Sequence, residues 1–429
     1  MEKILSARFG KITPDNVMEY VEAGGYEGLK KALNMDPVDT INEIITSKLY
    51  GRGGASYPTG PKWLKAYDIK RETRYMICNA DEGEPGTFKD KHILAEDPFQ
   101  LIEGMTIGAY LMGSKEGFIY IRGEYLGIQK IVRSAIKNAE EKGYLGKNIL
   151  GREGFDFNIT VVSGAGAYIC GENTALIESI EGKAGRPRVK PPYLSHCGLY
   201  QQPTILNNVE TYSCIPWIVK DGGAHFASFG TEVSGGTKLM CLSGNVKNKG
   251  VYEIPFGMTL RELIYDLGGG IPNDKKLKFV HLGGQSGSCF PESYLDTKIC
   301  YDDLKKNKIA LGSGAVVCVD ESNCVVDYLR NTMDFFEEES CGKCIPCREG
   351  TYRIVQIVDK FIEGTATMLD LEKLRSLAST LKIASFCGLG QSVPIPLLSL
   401  INHFEDEFIE HINGECRANV CQMNRKGEK

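Results

Sequence analysis

No stretch of this 429-residue chain approaches the roughly 18 consecutive apolar residues of a membrane-spanning helix, which argues against direct insertion into a bilayer. The opening residues, Met1-Glu2-Lys3-Ile4-Leu5-Ser6-Ala7-Arg8, hold no long apolar segment and no signal-peptide cleavage pattern. An excess of positive charge is also missing. The formal net charge is −5, so bulk charge suggests no nucleic-acid partner. Histidine is scarce, at six residues, and falls in none of the motifs described below. Hydrophobic residues at 42% and charged residues at 24% are ordinary for a globular protein, and the length suits two or three domains. Cysteine is plentiful instead. Fifteen of them in a chain without a secretion signal point to a reducing compartment, the cytoplasm, where thiols remain free for metal.

The stretch Glu339-Ser340-Cys341-Gly342-Lys343-Cys344-Ile345-Pro346-Cys347-Arg348-Glu349-Gly350 sets three cysteines at i, i+3 and i+6. An isolated Cys387 in Ser385-Phe386-Cys387-Gly388 can supply a fourth thiolate. Thiolates at this spacing suit the iron of a cubane cluster. Zinc also takes four thiolates, but usually from two separated pairs. Overlapping Cys-x-x-Cys pairs could instead do thiol–disulfide chemistry, although no thioredoxin-like strand precedes them and Cys341 would be surplus. Buried inert thiols are the remaining alternative. Cys416 and Cys421 form a second spaced pair; two ligands alone make a poor site, so they read as structural.

Short helices are expected between residues 13 and 50, with no chemistry in them. Gly51-Arg52-Gly53-Gly54-Ala55-Ser56-Tyr57-Pro58-Thr59-Gly60-Pro61-Lys62-Trp63 follows. Its glycines let a backbone approach a ligand and present N–H groups, and Arg52 and Lys62 add positive charge. It lacks the Gly-Lys-Ser/Thr of a Walker loop, so it is either a flexible loop or a nucleotide cradle. Strands are expected over 74–79, 117–122 and 155–162, with helices over 101–111 and 127–142. That alternation predicts a mostly parallel α/β sheet. The first strand runs into Asn79-Ala80-Asp81-Glu82-Gly83-Glu84-Pro85-Gly86-Thr87, either an acidic turn in water or a ligand contact at a strand's carboxyl end. The third feeds Gly164-Ala165-Gly166-Ala167-Tyr168-Ile169-Cys170-Gly171-Glu172 and a helix from Asn173 to Ile180, a place where an anion gains from the helix dipole. Arg186-Pro187-Arg188-Val189-Lys190-Pro191-Pro192-Tyr193 is a stiff basic segment or a plain surface loop. Asn207 and Asn208 can bond a phosphate or a ring edge, or cap the next helix. Strands over 237–244, 250–255, 278–282 and 314–319 with a helix over 259–267 suggest a β-grasp module. Helices over 324–338, 350–363, 368–383 and 394–410 suggest a bundle, one end of which gathers the four cysteines.

Taken jointly, these motifs resemble the flavin- and NADH-binding subunit of respiratory complex I and the diaphorase subunits of soluble NAD(P)-linked hydrogenases and formate dehydrogenases. The resemblance runs from about Gly10 to Asn413. It implies an atypical Rossmann-like α/β domain for FMN and pyridine nucleotide over 1–230, a ubiquitin-like β-grasp domain over 231–323, and a four-helix iron–sulfur domain over 324–429. It implies a [4Fe-4S] cluster on Cys341, Cys344, Cys347 and Cys387. The loop of Gly51, Arg52, Gly53 and Gly54, with Lys62, is assigned to flavin and nicotinamide. Asn79, Asp81, Gly171, Asn207 and Asn208 are assigned to FMN, and Glu84 to the nicotinamide. Tyr57 and Tyr193 would offer flat faces to the dinucleotide. Glu82, Gly164, Gly166, Glu172, Asn173 and Lys190 complete the cofactor-binding set, with Lys62 and Glu84 at the reacting centre. Hydride would pass from nicotinamide to flavin and electrons singly to the cluster, so no catalytic base is needed.

Two departures from the family pattern stand out. Ser56-Tyr57 replaces the usual Gly-Phe, and Asn173 replaces a second glutamate. A glutamate there resembles the acid that accepts from the adenosine ribose, so its loss leans the expectation from NADH towards NADP(H). The core is flanked by neither the thioredoxin-like nor the ferredoxin-like domain of some relatives. A separate thioredoxin-like [2Fe-2S] protein and a hydrogenase or dehydrogenase catalytic subunit are therefore the expected partners.

Overall fold

The structure is a computed structural model and describes residues 2–421 and 423. Four short strands, β1 (Tyr75–Ala80), β2 (Glu116–Ile121), β3 (Asn158–Ser163) and β4 (Thr204–Asn208), form a wholly parallel sheet in the order β3-β2-β1-β4. The first three lie where the sequence predicts strands. The fourth is a brief apolar run that ends in the paired asparagines, too short for its periodicity to declare it. The chain steps outward from β1 to β3 and returns across the sheet to β4. Strand order thus reverses between β1 and β4, which opens a crevice at their carboxyl ends. The register sets Cys78 opposite Asn207 and Asn79 opposite Asn208, so the two asparagine-bearing motifs meet in that crevice.

The Pro98–Met112 helix is buried along nearly its whole length, because the sheet and the Val209–Asp221 helix both cover it. Its Glu103 carboxylate accepts from Tyr20 Oη at 2.6 Å and from the backbone N–H of Tyr26 and Leu29. A buried charge is tolerable only when so bonded, and here it fastens the N-terminal helices to the core.

A second sheet contains β5 (Thr237–Gly244), β6 (Gly250–Pro255), β7 (Leu277–Leu282), β8 (Ser288–Phe290) and β9 (Ala315–Asp320), in the order β6-β5-β9-β7-β8. β5 and β9 are parallel and the other pairs antiparallel, in keeping with the expected β-grasp module. The helix expected over 259–267 is a wide π-helical turn, Glu262–Leu267. The two sheets are joined by buried charge. Glu210 accepts from Lys238 Nζ at 2.7 Å, from the Leu239 N–H at 2.9 Å and from Lys89 Nζ at 3.0 Å.

The C-terminal region is helical, with two corrections to the expected boundaries. The second long helix spans Ile345–Glu363 and begins five residues early, because Pro346 fits the first turn, where its missing N–H costs nothing. Cys347 is therefore helical. The fourth breaks into Pro394–His403 and Glu405–Ile412 at Phe404, whose backbone leaves helical geometry while its ring packs on Phe279 at 5.6 Å. Ile77 and Leu206 of the first sheet, Phe279 and Val319 of the second, and Leu329 and Ile354 of the helices share one apolar core. The cysteine-bearing helices are thus packed onto the parallel sheet.

Candidate functional site

The crevice between β1 and β4 holds polar groups that the protein itself leaves unused. The Thr59–Tyr67 helix carries Lys62 to it, where the ammonium donates to Leu206 O at 2.7 Å and to Asn207 Oδ1. Among the described residues no carboxylate lies within ion-pair reach of Lys62, and burial lowers its pKa to about 7. Asn207 Nδ2 is buried without a partner, and so is Asp81 Oδ2. Desolvation pushes the Asp81 carboxyl up to about 7, against the pull of Arg122. Asn79 donates to Gly171 O at 2.9 Å and accepts from the Asp81 N–H, so it fixes the mouth of the crevice. A Cβ on Gly171 would lie 3.6 Å from Asp81 O, and one on Gly53 would meet Asn208 Cβ at 2.9 Å. A half-buried cation without a counter-ion and an orphaned amide, walled by two close glycine approaches, suit an anionic ligand with a polar ring edge. These residues fit FMN.

The paired asparagines divide their work. Asn208 caps the Val209–Asp221 helix through the Glu210 N–H, accepts from Lys89 and donates to Asp90 Oδ2 at 2.5 Å. Its side chain is committed, and Asn207 alone keeps an open donor. Three further charged candidates turn inward. The Arg52 guanidinium donates to Gly235 O at 2.9 Å and to Tyr301 Oη at 3.3 Å, and it stacks over Phe256. Glu82 accepts the N–H of Asp90 and Lys91 and so caps the Lys89–Glu96 helix. Glu172 caps Asn173–Ile180 through the Thr174 and Ala175 N–H groups and pairs with Lys190 at 2.7 Å. Their charges are engaged within the protein; Glu172 and Lys190 remain partly exposed at the rim.

Glu84 lies where three parts of the chain meet. It accepts from Tyr168 Oη at 2.5 Å and from the Ser286 N–H at 3.1 Å and hydroxyl at 3.3 Å. Burial raises its pKa. Gly284 has φ +81°, and a Cβ there would stand 2.2 Å from Glu84 Cγ, so a larger residue would displace the carboxylate. Nothing local in the sequence pairs Tyr168 or Ser286 with Glu84; the run Gly283-Gly284-Gln285-Ser286-Gly287 is the one available signal. Gly164 and Gly166 shape the loop after β3: a Cβ on Gly164 would press on Tyr120, and Gly166 needs φ +78°. Gly51 and Gly54 belong to the first loop, closed by the Gly51 N–H on Tyr57 O at 2.9 Å. On the outer surface Tyr57 and Tyr193 are half or more exposed, and Asn173 is exposed at the first residue of its helix.

Cys341, Cys344, Cys347 and Cys387 line one cavity, with Phe386, Leu389 and Ile169 among its apolar walls. Ile169 and Pro187 come from the parallel-sheet region, and Ile169 is two residues from Gly171. Glu339 Oε2 accepts the Tyr168 N–H at 2.9 Å, and Lys343 donates to Pro187 O at 2.5 Å. Four convergent thiols around one cavity fit an iron–sulfur cluster. The same loop that borders the crevice between β1 and β4 also borders this cavity.

Comparison with known proteins agrees with this geometry. Residues 44–217 match the family model described as the Nuo51 FMN-binding domain. Residues 239–288 match the SLBB domain, and 327–411 the NADH-ubiquinone oxidoreductase-F iron–sulfur binding region. The chain is 44% identical over 420 residues to the HndC subunit of the NADP-reducing hydrogenase of Solidesulfovibrio fructosivorans, which covers 98% of this chain and 85% of that protein. It is 45% identical over 394 residues to a NADH-quinone oxidoreductase subunit of Rhizobium meliloti, covering 92% and 93%. It resembles a chain of the NAD+-reducing [NiFe]-hydrogenase in the H2-reduced state, with a TM-score of 0.83 and 33% identity. That match covers 96% of this chain and 66% of the hydrogenase chain.

Proposed function

The chain belongs to the family of FMN-domain subunits of NADH-quinone oxidoreductases and their hydrogenase counterparts, and on that premise we propose how its residues share the work. It is an electron-input subunit that passes electrons from reduced pyridine nucleotide through FMN to a [4Fe-4S] cluster. When bound, FMN supplies two-electron exchange with the nicotinamide and one-electron exchange with the cluster. Lys62 and Asn207 hold the flavin, Lys62 by charge and Asn207 through its open amide. Gly53 and Gly171 keep the walls thin enough for close approach, and Asn79 fixes the distance between them. Glu84, braced by Tyr168 and Ser286, orients the nicotinamide edge. Cys341, Cys344, Cys347 and Cys387 ligate the cluster. The observation that carries this is the uncompensated Lys62 beside the orphaned Asn207 amide, on a loop system shared with the cysteine cavity. Anaerobically purified protein should carry stoichiometric flavin and iron and reduce a one-electron dye with NAD(P)H. Folded protein that binds neither group after reconstitution would overturn the proposal.

The domain limits of 1–230, 231–323 and 324–429 belong to the same proposal, supported by the two sheets and the helical region on either side of them. No helix among the described residues is long and apolar enough to cross a membrane. We place the chain in the cytoplasm, with a thioredoxin-like [2Fe-2S] protein and a hydrogenase or dehydrogenase subunit as its partners. Support comes from relatives named as subunits of such enzymes, and co-purification tests it.

For the nucleotide, the proposal leans to NADP(H). Asn173 is exposed and uncharged at the start of its helix, next to the Glu172–Lys190 pair. A glutamate in its place would stand against a 2′-phosphate. Like charges about 4 Å apart cost roughly 1 to 4 kcal/mol, or about fivefold to several hundredfold in affinity. Asn173→Glu should therefore cut kcat/KM for NADPH at least fivefold and leave NADH little changed. A wild-type preference for NADH, unaltered by the glutamate, would refute the lean.

A further inference from the structure

Ser340, the residue before the cysteine triplet, lines the same cavity as the four cysteines. Its hydroxyl oxygen lies 3.3 Å from Cys347 Sγ, within hydrogen-bond reach of a sulfur. We propose that Ser340 raises the reduction potential of the iron–sulfur cluster by donating this hydrogen bond to the Cys347 thiolate. The proposal rests on the ligand assignment above and adds to it a residue that is not itself a ligand.

The chemistry of the pair fixes the direction of the bond. A cysteine that ligates metal is a thiolate and has no proton to give, so the hydroxyl donates. Ser340 Oγ also accepts the Gly342 N–H at 3.4 Å. That bond occupies one lone pair and leaves the hydroxyl proton for the sulfur. Gly342 has φ +69°, so the turn that brings its N–H back onto Ser340 suits a residue without a Cβ. Arg348 closes the turn by donating to Gly342 O at 2.8 Å.

Both ends of the bond are held in place. Cys347 is buried in the first turn of Ile345–Glu363. A Cβ on Gly390 would stand 3.0 Å from Cys347 Cβ, so the Gly388–Ser392 turn encloses the cysteine from that side. Glu339 accepts the Tyr168 N–H at 2.9 Å, which ties the residue next to Ser340 to the loop after β3.

An electron added to the cluster places more negative charge on its sulfurs. A hydroxyl proton aimed at one of them is bonded more strongly in that state, so reduction becomes easier. Burial of Cys347 disfavours negative charge there, and the Ser340 bond opposes it. The backbone N–H groups of Leu389 and Gly390 bond Cys387 in the same sense. Ser340 acts through a side chain, which one substitution removes.

The test is an EPR-monitored redox titration of anaerobically purified holoprotein, with iron and flavin analysis, on wild type, Ser340→Ala and Ser340→Thr. Ser340→Ala should keep its iron and FMN. At a fixed potential its ratio of reduced to oxidised cluster should fall about tenfold, which is about 59 mV for one electron. Ser340→Thr keeps the hydroxyl and should stay within about twofold of wild type. The flavin potential should be the same in all three proteins. Full iron with an unshifted cluster potential in Ser340→Ala would overturn the proposal, and equal shifts in Ser340→Ala and Ser340→Thr would do so by showing an effect of packing. A Ser340→Ala protein that fails to assemble the cluster would overturn it too, because the hydroxyl would then hold the site together instead of tuning it. Wild-type protein without any iron–sulfur signal would remove the ligand assignment itself, and this proposal with it.

Discussion

Lys62 gives the most quantitative test of the flavin crevice. Its ammonium has two oxygen partners and no carboxylate, and desolvation brings its pKa down to about 7. At pH 8 the ligand-free protein therefore carries this charge in only about one molecule in ten. A bound phosphate favours the charged form and raises the pKa. Binding at pH 8 must then take up about 0.9 proton, and the affinity should fall roughly tenfold per pH unit above 7, about 1.4 kcal/mol each. The sign follows from the direction of the shift. The free-state pKa is depressed and the bound-state pKa is higher, so affinity is greatest below about pH 7 and is lost as pH rises towards the bound-state value. Calorimetry of flavin-stripped protein with FMN, in buffers of different ionisation enthalpy, measures the uptake. Lys62→Met provides the baseline, because any proton taken up by the ligand itself is common to both proteins. Equal uptake in wild type and Lys62→Met at pH 8 would refute the assignment.

Four further outcomes follow from the site. Cys387→Ala should lose the [4Fe-4S] content and its spectrum while keeping FMN, and unchanged iron would show the ligand set to be wrong. Asn207→Ala removes an amide N–H that the protein leaves unpaired, together with one of the two oxygen partners of Lys62, and should weaken FMN by about 1–2 kcal/mol. Asn208→Ala removes a helix cap and the donor to Asp90, so it should cost about 1–2 kcal/mol of stability and lower Tm; a double variant alone would hide this division. Gly284→Ala should displace the Glu84 carboxylate and reduce kcat/KM for NAD(P)H at unchanged flavin content; full activity would remove Glu84 from the nicotinamide site.

The sequence by itself determined the elements whose signal is local. Cys341, Cys344 and Cys347 stand out by spacing and three of the four parallel strands by apolar runs, while the glycine-rich stretches and the paired asparagines stand out as motifs whose ligand only the family resemblance suggested. Such features need only a few neighbouring residues to be recognised, because strand pleat, helix pitch and metal-ligand spacing are set within a turn or two of chain. Only the tertiary structure decided which side chains remain free to act. Asn207 and Asn208 are chemically identical, and β4 pairing with the cap of the next helix commits one and spares the other. Arg52 reads in the sequence as positive charge added to a candidate ligand loop, yet Tyr301, Phe256 and Gly235 draw it inward. Glu84 meets Ser286 across 202 residues, and Cys324 meets His411 across 87. Those contacts exist only because one apolar core packs the helices onto both sheets, and no local pattern encodes a pairing that packing creates.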